Sequence, residues 1–340
     1  MQRLKKNLAR SLVIIALSVI IIVLIAGFTD ISLTIKALKK ISAKWLMIVC
    51  LLLICDWFAE ALTVKIFAVS YRTKVSLKYL FKSTLIGSFF SAITPFSTGG
   101  QPAQIAFMNK RGVEYGEATA LFVSRFIVYQ VVITLLGVFG VYTAHDILSR
   151  NITKFALLAF FGFVLNGAVL FFLLIFSINR NLVEWLVKAL IKPLAFLRLI
   201  KNQAEAVEKT LNQIKLFHKC MIRSMSNLSL LSFAFLVTVC QMIARVSVTY
   251  FVARSVQVSC SYVNTVMFQL VLFLVVSLIP TPGAMGASES GYVLFFSFLF
   301  GPQTVATLLL WRFFTYYVNI IVGGLTTAYE IKVLSRFDSE

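Results

Sequence analysis

The sequence predicts an all-α polytopic membrane protein built from inverted repeats, each carrying a re-entrant hairpin of broken helices. Three observations lead there. Of 340 residues, 59% are hydrophobic and only 13% charged, where a soluble domain carries about 25% charged residues, and the mean hydropathy is +0.91. Apolar runs near the roughly 20 residues that a bilayer span needs recur along the chain. Two further apolar stretches are interrupted by Pro and Gly, and they match each other at one fixed offset. The 32 basic residues outnumber 13 acidic ones for a net charge of +19. In a soluble protein that excess points to nucleic acid; at this hydropathy it points to basic cytoplasmic loops and anionic headgroups. No nucleic-acid partner is expected.

Residues 11–28 are apolar throughout and follow Arg3, Lys5, Lys6 and Arg10. No small-x-small cleavage site follows, so this reads as an uncleaved first helix with its N-terminus in the cytoplasm. Full spans follow at 45–69, 118–142, 155–177, 227–252 and 304–328, six in all. The broken segments are 83–108 and 262–300. With the N-terminus inside, the cytoplasmic segments hold 21 basic residues, the outer segments 7 and the spans 4. That bias predicts a multi-pass protein of the bacterial cytoplasmic membrane with both termini inside. Lys36, Lys39, Lys40 and Lys44 run against it and are assigned to an interfacial helix. Residues 181–223 read as an amphipathic cytoplasmic connector on the inner leaflet. Leu182, Leu186, Leu190, Leu194 and Leu197 share one face if the helix passes Pro193, with Lys188 and Lys192 opposite.

Sliding the chain against itself by 187 residues aligns Thr94-Pro95 with Thr281-Pro282, Gly99 with Gly286, and Leu121 with Leu308. Arg125-Phe126 then falls on Arg312-Phe313, Tyr129 on Tyr316, and Gly137 on Gly324, with 10 identities in 44 positions. The repeat halves are about 83–142 and 262–328 of a single transmembrane domain, 1–340. The first broken segment lies between two inside segments and the second between two outside ones, so the halves are inverted. This is the pattern of transporters whose broken helices meet near the midplane. Pro95 and Pro282 each remove a backbone donor, and Gly99, Gly100, Gly283 and Gly286 are read as permitting the turn.

Arg125 and Arg312 sit within apolar runs, where a central Arg costs at least about 2.5–3.5 kcal/mol. Two uses stay open: holding an anionic group with the planar guanidinium fork, or pairing with Asp56, Glu60 or Glu289. Asp56 and Glu60 share a helix face. Arg245 has no repeat mate and ranks below the other two. Glu289 and Ser288, beside Ser290, stand where a half-helix starts after the second break, a place suited to anions. Gln101 and Gln104 take the corresponding place after the first. Tyr129 and Tyr316, four residues beyond each arginine, complete the candidate lining. The five cysteines and two histidines offer no metal-ligand spacing, no catalytic triad can be assembled, and there is no Walker A loop. No metal, cofactor or enzymatic activity is expected.

The stretches TPFSTGGQPAQ and IPTPGAMGASESG, each with its following arginine helix, resemble the flippase-like transmembrane domain of bacterial lysylphosphatidylglycerol synthase/flippase proteins. The resemblance spans essentially the whole chain, and the Pro-Gly-x-x-Gly-x-x-Glu stretch is its more specific part. It implies movement of a lipid across the cytoplasmic membrane: a phospholipid with an anionic or zwitterionic headgroup, or a lipid-linked sugar. Full-length members add further spans and a soluble aminoacyl-transfer domain that these 340 residues lack, so synthase activity is not carried over. Self-association stays open. The alternatives are a secondary transporter of a small anion and a non-catalytic membrane subunit of a lipid-synthesis system. The subunit reading calls for intramembrane arginines fully paired with carboxylates.

Overall fold

Backbone groups inside a bilayer have no water to bond, so a spanning segment must satisfy them internally. The apolar runs accordingly fold as helices in the computed structural model, which describes residues 31–196, 203–276, 279 and 281–337. No strand occurs among the described residues. The expected first span, 11–28, lies outside them. The helices are α1 (Ile31–Lys39), α2 (Ala43–Tyr71), α3 (Leu77–Ala92), α4 (Gly100–Asn109), α5 (Tyr115–Asn151), α6 (Phe155–Ile178) and α7 (Arg180–Phe196). They continue with α8 (Gln203–Met225), α9 (Leu228–Ser255), α10 (Tyr262–Val276), α11 (Ala287–Phe300), α12 (Thr304–Arg312) and α13 (Val318–Phe337). Among the described residues, five stretches are long and apolar enough to cross a membrane: α2, α5, α6, α9, and Pro282–Val333, which contains the expected span 304–328.

Helix α5 runs nine residues past the predicted end of its span. Residues 143–151 contain neither Gly nor Pro, and Ala144 and Leu148 on its inner face are buried, so nothing stops the helix there. Helix α7 continues through Pro193 to Phe196. The side chains of Lys188, Leu190, Lys192 and Leu194, and all of Leu197, lie outside the described residues.

One order of elements occurs twice. A long helix, a short helix, a 3₁₀ turn, a second short helix and a long helix appear as α2–α3–(Pro95–Ser97)–α4–α5. The same order reappears as α9–α10–(Pro282–Ala284)–α11–α12/α13. The packing is reciprocal. Helices α2 and α9 lie antiparallel, with Ser42 N–H donating to Ser255 O at 2.9 Å and Thr63 facing Thr238 at 3.5 Å. Buried Ala61, Ala68, Ala234 and Ala253 let these backbones approach, as small residues do between membrane helices. Helix α10 packs on α5, and α3 on α13. A Cβ on Gly140 would sit 3.1 Å from the Met267 carbonyl, and one on Gly323 only 2.3 Å from the Leu85 carbonyl. The two 3₁₀ turns rest against each other.

Contacts gather the chain into two ends. Glu330 of α13 bonds to Lys82 and Arg111, and Gln213 of α8 accepts from Gly116 N–H at 2.8 Å. At the opposite end α1 packs on the Gly301–Gln303 turn. Helix α6 lies outermost and exposes Phe160, Phe161, Phe171 and Phe172. Its one buried amide, Asn166, donates to the Leu274 carbonyl of α10 at 2.9 Å and accepts from Gln130 of α5 at 2.7 Å.

Candidate functional site

Both breaks begin with Thr-Pro and continue as a single 3₁₀ turn, yet they turn the chain differently. In the second, Gly283 (φ 59°) and Gly286 (φ 82°) adopt left-handed or otherwise positive φ, as does Ala284. In the first, the left-handed residues are Phe96 (φ 53°) and Ser97 (φ 55°), while Gly99 and Gly100 follow right-handed backbone. Their glycine character serves close approach instead. A Cβ on Gly99 would lie 2.6 Å from the Thr94 methyl, and one on Gly100 would lie 2.0 Å from Ser91 Oγ and 2.9 Å from the Gly87 carbonyl. The reading of these two as turn residues is thus corrected: tight packing of α4 against α3 needs them. Left-handed non-glycine residues are strained and concentrate at functional sites.

Each intramembrane arginine faces a carboxylate. Arg125 Nη2 donates to Glu60 Oε2 at 2.6 Å, and Gln104 Nε2 reaches the other oxygen of Glu60 at 3.4 Å. Arg245 holds Asp56 with both prongs, Nε to Oδ1 at 3.1 Å and Nη2 to Oδ2 at 2.9 Å. Gln241 adds a third bond to Asp56 at 3.0 Å. Tyr129 lies between the two arginines. Its ring centre is 5.2 Å from the Arg125 guanidinium and 5.7 Å from that of Arg245, and its hydroxyl accepts from Arg245 Nη1 at 3.3 Å. Such stacking is favourable for a cation on an aromatic face. The first cluster therefore draws on α2, α4, α5 and α9.

The second cluster lies at the second break. Arg312 Nε stands 2.7 Å from Glu289 Oε1, and its Nη1 donates to the Gly283 carbonyl at 3.2 Å. Glu289 Oε2 accepts from Gly286 N–H at 2.8 Å, capping the start of α11 where a negative charge is favoured. The Arg312 guanidinium is 5.2 Å from the Tyr316 ring centre, and the Tyr316 hydroxyl donates to Ala92 O of α3 at 3.1 Å. Ser288 closes on Ala284 O at 2.9 Å. Gln101 is half-buried on the first turn of α4; it is Gln104 that reaches the first cluster.

The clusters differ in wetness. Arg312 and Glu289 are 4% and 0% exposed, whereas Arg125 and Arg245 are 13% and 27% exposed. Arg125 Nε, Gln241 Oε1 and Arg312 Nη2 are buried with no hydrogen-bond partner, so the clusters keep donor and acceptor capacity. A cavity of about 510 Å³ lies on a different face of α5, lined by Ser124, Ile127, Val128, Met221 and Phe235 among others.

Sequence reasoning set Arg245 below the other two arginines because it lacks a repeat mate, and did not single out Gln241; the structure brings both to Asp56. The available signal was scarcity: with only 13 acidic residues, each intramembrane acid needs a basic counterpart, and there are as many arginines as acids in the spans. The family described as the lysylphosphatidylglycerol synthase TM region matches residues 11–323, both breaks and both arginine helices included. The chain belongs to this family. A UPF0104 membrane protein of the archaeon Archaeoglobus fulgidus is 26% identical over 333 residues, covering 95% of this chain and 97% of the relative. The family match thus includes the expected first span, residues 11–28, as well as both broken segments.

Proposed function

We propose that the chain is a flippase-like lipid transporter whose two broken segments are inverted, re-entrant hairpins meeting at the midplane. The observation that carries this reading is the contact between the two left-handed breaks, flanked by repeat-related arginines that stack on tyrosines in the same way. Non-helical backbone at membrane depth belongs where protein covers it or a cavity is lined. Hairpin 83–108 starts and ends near Lys82 and Arg111, which meet at one end of the molecule, and the α11–α12 turn lies at the other. That opposition supports the inverted arrangement, and the basic-residue bias of the loops supports termini in the cytoplasm. The travelling group is a phospholipid or lipid-linked headgroup that exchanges for the Arg125–Glu60 and Arg245–Asp56 pairs, while its tails stay in the bilayer.

A non-transporting membrane subunit is the second reading, favoured by the complete pairing of the three arginines. The partial exposure of Arg125 and Arg245 and the unused polar atoms around them support transport instead. Headgroup-resolved translocation in liposomes, run across a lipid panel, tests the proposal. Protein-dependent movement of at least one lipid, lost in Arg125→Ala, is expected. A panel with no protein-dependent movement would reject transport and leave the subunit reading.

A further inference from the structure

Among the described residues, one buried carboxylate stands outside the arginine clusters. Glu330 on α13 is 2% exposed and bonds through Oε1 to Lys82 of α3 and through Oε2 to Arg111, just after α4. Both cations rest on aromatic rings. Arg111 lies 4.5 Å from the Tyr79 ring centre and 5.6 Å from that of Phe107. Lys82 lies 5.2 Å from the ring of Tyr329 and 5.9 Å from that of Tyr79. The cations both belong to the first broken segment and its edge, and the carboxylate belongs to the facing helix. Arg111 Nε is buried with no hydrogen-bond partner, so the guanidinium has a donor that Glu330 does not take.

A lysine and an arginine converging on separate oxygens of one oxyanion make a phosphate receptor as readily as a carboxylate clamp. The three rings, Tyr79, Phe107 and Tyr329, sit where cation–π attraction keeps the cations converged when the carboxylate leaves. The repeat sharpens the point. At the offset of 187, Lys82 falls on Gln269, Arg111 on Phe298, and Glu330 on Thr143. The opposite end thus has neither cations nor carboxylate at the matching positions, and the receptor is one-sided.

We propose that Lys82 and Arg111 form a binding site for a phosphate oxyanion, that of a phospholipid at the cytoplasmic leaflet. Glu330 occupies this site as a tethered surrogate and yields it when α13 parts from α3. The side of the membrane and the passage of a lipid rest on the reading above; competition between Glu330 and a phosphate does not.

The test is equilibrium binding by native mass spectrometry of the full chain in neutral detergent, with dioleoylphosphatidylglycerol as probe. Dioleoylglycerol, which lacks the phosphate, and glycerol 3-phosphate, which lacks the tails, serve as the other arms. Glu330→Gln is expected to bind the phospholipid about tenfold tighter, and the gain should vanish when Lys82→Met and Arg111→Met are added. Dioleoylglycerol should show no gain. If Glu330→Gln does not fold, Glu330→Asp, which keeps the charge but shortens its reach, should give a smaller gain. A folded Glu330→Gln or Glu330→Asp with no gain overturns the proposal, as does a gain that persists in the triple variant. Glycerol 3-phosphate binding as tightly as the phospholipid overturns its assignment to a lipid. No transfer is measured, so failure of transport and failure of this site register in different experiments.

Discussion

The Arg125 and Arg312 clusters share a motif and differ in what surrounds it. Each arginine stacks on the tyrosine four residues later at 5.2 Å and faces a glutamate. At Arg312 the glutamate comes from the neighbouring half-helix, only 23 residues back, and both partners are dry. At Arg125 it comes from α2, and a second ion pair from α9 shares the same tyrosine. A dry pair with one partner fixed to the break acts as a latch. A part-exposed double pair held by four helices can trade partners. Repetition of a motif therefore does not mean repetition of its use.

The largest expected effect tests the dry side. Glu289→Gln strands a buried guanidinium, which costs about 3–5 kcal/mol; thermal unfolding in detergent should show it, and Arg312→Met added to Glu289→Gln should recover much of the loss. Glu60→Gln, with its arginine part-exposed, should lose clearly less. Equal losses would erase the distinction between latch and exchangeable site.

The breaks come next. Gly283→Ala places a Cβ 2.2 Å from the Tyr316 ring on left-handed backbone, a strain of about 2–4 kcal/mol. Gly99→Ala, on ordinary helical backbone, meets the Thr94 side chain and lies 3.1 Å from the Phe90 carbonyl, and a smaller drop in melting temperature is expected. For Arg125→Lys the melting temperature should stay near that of the parent, while liposome transfer falls on the order of tenfold, because the charge remains but the planar fork that suits a headgroup phosphate is lost. Arg312→Lys should do the reverse. The smallest effect separates the tyrosines: Tyr316→Phe loses the bond to Ala92 O, worth about 1 kcal/mol. Tyr129→Phe should lose less stability, since Arg245 keeps both prongs on Asp56.

Much of this framework was legible because its signals are periodic. Thr-Pro followed by an arginine 30 residues later, then a tyrosine four residues on, occurs twice, and the structure places those residues at matching points of two matching element orders. The five candidate spans among the described residues were legible from hydropathy alone. Partner choice was not. Arg125 meets Glu60 across 65 residues and Arg245 meets Asp56 across 189, and no spacing rule reaches that far. The handedness of the first break was hidden too, because Phe96 and Ser97 are residue types that rarely adopt left-handed backbone, while the glycines beside them were spent on packing. Glu330 escaped notice because it lies at the end of an apolar run, where an acid reads as solvated.

Asn166 gives α6 something that its phenylalanines cannot. A helix this apolar can enter a bilayer by itself and associate afterwards, as in two-stage assembly, and its rotation is then set by one narrow buried face that includes Ala159, Gly162 and Asn166. The amide gives that face its polar contacts. It meets the Leu274 carbonyl near the C-terminal end of α10 and simultaneously accepts from Gln130 on α5. Helix α6 can thus be inserted early but can find its final rotation only after α10 has been made, more than a hundred residues later. The order of synthesis and the order of docking are set apart by this one face.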